Sequence, residues 1–139
     1  MQTGISVGPT DAWLSSGVFD YTPAPGKLEL ADGRLRFTVV APPGEKNARW
    51  LEQATGQTGL ADRVLRGEAA TVLDEPVDQV KTRWPFLTAG SYLQVRKDGT
   101  LYRVYFYNAG AAAGQPSRGL GGIVRGRAAS KPFREALTP

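Results

Sequence analysis

Several groups of side chains in this 139-residue chain have the types and spacing to do chemistry. Lys27 precedes an Arg34-Leu35-Arg36 run. Three cations on adjacent strands can clamp phosphate oxygens through charge-assisted hydrogen bonds. Lys81, Arg83 and Arg103 form a second cationic set. Tyr92 and Tyr105 lie near Arg103 in the expected pairing, and an aromatic pair beside arginine can take a base or a partner's side chain. Asp74, Glu75 and Asp78 cluster around Pro76. Such carboxylates can do acid/base work or hold a hard cation, but a solvated turn explains them more simply. Gly119-Leu120-Gly121-Gly122-Ile123-Val124 falls short of a dinucleotide fingerprint, because Val124 stands where the third glycine belongs. Gly121 and Gly126 have phosphate-loop spacing, yet Arg127 and Ala128 replace the required Lys and Ser/Thr.

Composition narrows the classes further. There is no cysteine and no histidine. That excludes disulfides, thiolate or imidazole metal sites, a cysteine nucleophile and a Ser-His-Asp triad. The expectation is a protein that is not an enzyme and has no cofactor. Residues 1–80 carry seven basic and eleven acidic residues, whereas residues 81–139 carry ten basic and two. A basic module on a slightly acidic base points to an anionic partner. No secretory signal and no long apolar run are present, so the expected location is cytoplasmic, at most peripheral to a membrane.

The elements that must position these residues read mainly as strands. Residues 1–16 are rich in Gly, Ser, Thr and Pro and read as a loosely ordered lead-in to one domain spanning 17–139. Gly17 to Tyr21 reads as a short first strand. Two hairpins carry the strongest local signal. Asp32-Gly33 and Asp98-Gly99 each separate alternating runs, as turns with positive φ require. In the first hairpin Leu30 faces Leu35 and Leu28 faces Phe37 on one side, with Glu29 opposite Arg36 on the other. In the second, Val95 faces Tyr102 and Leu93 faces Val104 inside, while Gln94 faces Arg103 and Tyr92 faces Tyr105 outside. Residues 46–67 switch to a helical period, broken by Gly56 and Gly59. Thr71 to Asp74 reads as a strand, and Val77 to Arg83 as another. Asn108 to Gly122 reads as a Gly/Ala loop. The apolar stripe through Phe133 and Leu137 predicts a closing helix, with Ser130 as cap and Pro132 in the first turn.

This order of elements resembles the pleckstrin-homology-like (PH/GRAM-like) bacterial domains. The resemblance rests on Gly26 to Phe37 as the opening hairpin, Val72 to Val80 as a strand with a Pro-containing turn, Tyr92 to Phe106 as the second hairpin, and residues 117–137 as the closing helix. It implies a barrel of two bent antiparallel sheets, about six or seven strands, capped by the C-terminal helix. It also implies binding without catalysis, to lipid head groups or to proteins. Lys27 with Arg34 and Arg36 match the residue types of the family's phosphoinositide pattern, across a shorter loop. The helical insert at 46–67 and the stretch 108–122 depart from the pattern. The expected function is therefore an interaction module. Its partner would be a protein or an anionic membrane surface, with a small basic nucleic-acid-binding barrel as the alternative.

Overall fold

The computed structural model describes residues 5–16, 22–85, 90–108 and 119–137. Seven strands form one antiparallel sheet: β1 Val7–Ser15, β2 Ala24–Ala31, β3 Arg34–Val39, β4 Ala70–Pro76, β5 Lys81–Arg83, β6 Tyr92–Lys97 and β7 Thr100–Tyr105. Their spatial order is β4-β3-β2-β1-β7-β6-β5. The sheet is continuous rather than split in two, and it does not close, since β4 and β5 are its unpaired outer strands. Among the described residues three α-helices accompany it: α1 Glu45–Thr55, α2 Leu60–Leu65 and α3 Gly119–Leu137. None of the described helices is long and apolar enough to cross a membrane.

Both hairpins have the register that alternation predicts. Leu30 pairs with Leu35, Leu28 with Phe37 and Glu29 with Arg36. Val95 pairs with Tyr102, Leu93 with Val104, Gln94 with Arg103 and Tyr92 with Tyr105. Asp32 and Gly33 have φ 54° and 73°, and Asp98 and Gly99 have 49° and 81°. Two successive positive φ values match the right-handed strand twist, so the turn chemistry sets the pairing. The inward residues of these strands are buried, among them Leu28, Leu30, Leu35, Phe37, Leu93, Val95 and Val104. Helices α1 and α2 add Ala48, Leu51, Leu60 and Val64 to the same core, with Gly56 and Gly59 separating them.

Several expectations are corrected. The lead-in at 1–16 contains β1, the middle strand of the sheet, which pairs with β2 through Val7–Leu14 and with β7 through Trp13–Ser15. The expected strand at Gly17 to Tyr21 lies outside the described residues, as does most of the Gly/Ala stretch. Residues 119–122 of that stretch already belong to α3. Val77–Gln79 is a 3₁₀ turn, and only Lys81–Arg83 of that run is strand. Pro132 sits inside α3 rather than in its first turn. Ser130 is likewise not a cap: its hydroxyl donates to the carbonyls of Gly90 and Arg127. The Arg134 guanidinium also donates to the Arg127 carbonyl, at 2.8 Å. Helix α3 lies close on the sheet because Gly126 has no Cβ; a Cβ there would stand 3.0 Å from that of Ser91 and 3.2 Å from the Phe106 carbonyl. Phe133, fully buried, packs its ring against Phe106 at 5.4 Å.

Candidate functional site

The outer face of the sheet, away from the core, has two halves with different electrostatics. On the β2–β4 half stand Lys27, Arg34 and Arg36, the expected phosphate clamp. Each is engaged by a carboxylate. Lys27 pairs with Asp11 of β1. Arg34 Nε lies 2.8 Å from Asp74 Oδ1, and its Nη2 donates to the Asp74 carbonyl at 2.9 Å. Arg36 donates to Glu29 at 3.1 Å and approaches Asp74 at 3.4 Å. The cause is register: Glu29, Arg36 and Asp74 are direct cross-strand neighbours on β2, β3 and β4. Hydrogen bonding from Arg34, aided by Arg36, holds the Asp74 carboxyl below the usual carboxylate value. Three cations against three carboxylates leave this half without excess charge, so the clamp expected here is closed on the protein's own side chains. Asp74 and Glu75, considered above for acid/base work, are thereby ion-paired, Glu75 with Lys97. Asp78 is exposed on the 3₁₀ turn. Among the described residues no group of three or more acidic side chains could hold a metal.

The β5–β7 half is different. Lys81 pairs in register with Arg96, and Arg83 with Gln94, which in turn faces Arg103. All five alternate onto the outer face, opposite inward Val95, Leu93 and Val104. Strands β5, β6 and β7 contain no Asp or Glu. Lys81, Arg83 and Arg96 are exposed and form no ion pair among the described residues. Like charges directly across a strand pair repel, so Lys81 opposite Arg96 is a local cost that no carboxylate among the described residues offsets. Arg103 donates through Nη1 to the Ser16 carbonyl at 2.9 Å. Its Nε is buried and has no hydrogen-bond partner among the described residues. Sequence reasoning brought Lys81, Arg83 and Arg103 forward but missed Arg96, which gains its meaning only from the β5–β6 register.

Tyr92 and Tyr105 also face outward in this half, as the alternation requires. They are not surface platforms: their exposures are 6% and 4%. Their rings stack on each other at 4.5 Å, with Tyr107 edge-on to Tyr105 at 5.5 Å. Gln94 donates to the Tyr92 hydroxyl at 3.0 Å. The aromatic pair is cross-strand packing, the two rings stacked on each other and buried. Burial raises the phenol of Tyr105 far above its ordinary value and raises those of Tyr102 and Tyr107 as well. Because these folded-state values are raised, the stability they support is complete below the unfolded value of about 10 and is lost as pH rises further. Tyrosinate absorbance at 295 nm is therefore expected to lag behind free tyrosine in the folded protein and to complete its rise only with alkaline unfolding. A full, early titration with intact circular dichroism would contradict the packing of these rings.

Comparison with protein-family models, with curated proteins and with solved structures found no match to this chain.

Proposed function

We propose that the chain is a non-enzymatic interaction module, PH-like in architecture, which docks an acidic segment of a protein partner on the outer face of β5–β7. The observation that carries this reading is the row Lys81, Arg96, Arg83 and Arg103, which meets no carboxylate among the described residues, on a face whose other half is ion-paired. Residues that repel one another at rest gain most when a partner supplies the missing anions. The PH-like part is supported by seven antiparallel strands followed by a long C-terminal helix, and by the first hairpin with its cations in place. Two features favour protein over the alternatives. The clamp matching the family's phosphoinositide pattern is occupied by Asp11, Glu29 and Asp74, which disfavours a head-group site there. The tyrosines that would stack on bases are buried against each other, which disfavours single-stranded nucleic acid.

The test compares the native chain with the triple variant Lys81→Glu, Arg83→Glu, Arg96→Glu. The probes are a fluorescent peptide of alternating Glu and Ser, vesicles containing phosphatidylserine, and an oligo-dT strand. The expected result is peptide binding at low salt that weakens about tenfold or more in the variant, and at ~0.5 M salt, with the melting temperature preserved. Equal peptide binding by both proteins, or binding of vesicles or oligo-dT in preference to the peptide, overturns the protein-partner reading.

A further inference from the structure

The opposite, inner side of the same β6–β7 hairpin borders a pocket of about 370 Å³. That is the size of a site for a small molecule. Its walls are the end of α1, the outer edge of β4 and the tip of the hairpin. The walls are tied by bonds of their own. Lys97 of β6 pairs with Glu75 of β4. Gln57 Nε2 donates to the Thr71 carbonyl at 3.2 Å, joining the α1 end to β4. Trp50 of α1 packs edge-on against Tyr102 of β7 at 5.7 Å and 67°. A cavity held this way is pre-formed and needs little ordering to bind.

Its chemistry follows from which groups are spoken for. Of the four ionisable groups lining it besides Tyr102, Lys97 and Glu75 satisfy each other and Asp74 is held by Arg34 and Arg36. Asp98 forms no ion pair among the described residues, so the charge left over is negative. Tyr102 is the second and independent observation. It lines the pocket and its ring is buried, the residue being 4% exposed, while its hydroxyl makes no hydrogen bond among the described residues and is not one of the buried polar atoms without a partner. A phenol oxygen that reaches the pocket this way is open to a ligand hydroxyl. The remaining lining is hydroxyl, amide and β4 edge, with few apolar groups. An anion meets Asp98 unfavourably, and an apolar ligand would strand the polar walls. A ligand rich in O–H and N–H donors and carrying one positive charge suits all of these.

We infer that this pocket is a binding site for a small hydroxylated ammonium of the amino-sugar class, with Asp98 taking the ammonium and Tyr102 a ligand hydroxyl. This reading is independent of the cationic face, since it uses the other side of the hairpin and the opposite charge.

The test is a titration of the full ¹⁵N-labelled chain with glucosamine, followed by amide chemical shifts. Glucose serves as the control that keeps the hydroxyls and lacks the charge. Saturable shifts confined to residues 71–75 and 97–102, with a dissociation constant of about 1 mM or below, are expected. Glucose is expected to bind about tenfold more weakly. Tyr102→Phe and Asp98→Asn should each weaken glucosamine about fivefold. Neither variant should disturb the fold, because the Tyr102 hydroxyl makes no hydrogen bond among the described residues and Asn accepts the positive φ of position 98. Absence of saturable shifts at ~20 mM glucosamine, shifts centred elsewhere, or native affinity in both variants overturns the inference.

Discussion

Removing residues 1–15 is expected to abolish cooperative folding. Strand β1 joins the two halves of the sheet, pairing with β2 on one edge and β7 on the other. Without it the sheet separates into β4-β3-β2 and β7-β6-β5. Ala12 and Leu14, each 1% exposed, leave the core as well. A buried leucine contributes about 1.5–3 kcal/mol and each lost ladder bond about 1 kcal/mol, with two newly exposed strand edges besides. Together these approach the whole of a domain's ~5–15 kcal/mol. The truncated chain should show no sigmoidal urea transition and should bind a dye specific for exposed apolar surface. A sharp transition within about 1 kcal/mol of the full chain would mean that the two half-sheets associate without β1.

Phe37→Ala is the point substitution with the largest expected cost. Phe37 is fully buried and sits in register between Leu28 of β2 and Leu73 of β4. Gly26 on the neighbouring strand makes room for it: a Cβ there would lie 2.6 Å from the Phe37 ring and 2.3 Å from the Thr38 carbonyl. A ring accommodated that closely leaves a cavity when removed, and the surrounding strands are held by their ladders. The expected loss is about 3–5 kcal/mol, read as a lower urea midpoint at unchanged slope. A loss under about 1.5 kcal/mol would show that β2 and β4 collapse into the space.

How far the fold was legible follows from the range of each interaction. Both hairpins were readable because Asp-Gly turns and strict alternation act within a few residues. The break in helical period at Gly56 and Gly59 marked α1 and α2 for the same reason. Strand β1 was not readable. Val7-Gly8-Pro9-Thr10-Asp11 is a polar, turn-like run, and its strand state comes from the edges of β2 and β7 rather than from its own pattern. Helix α3 ran through Gly126 and Pro132, against propensity, because the glycine lets it lie close on the sheet.

The candidate site divides along the same line. Net charge, the absence of His and Cys, and the outward alternation of Lys81, Arg83, Arg103, Tyr92 and Tyr105 are properties of the chain alone. Which cations stay uncompensated is not. Asp74 lies 40 residues from Arg34 and neutralises it only after β4 pairs with β3. Arg96 meets Lys81 only after β5 pairs with β6. Alternation says which way a side chain points, but it does not say what arrives to cover it. That is why Tyr92 and Tyr105 face outward as expected and are nevertheless buried. Direction is set by neighbours in sequence; charge balance and burial are set by strands that meet only in the folded sheet.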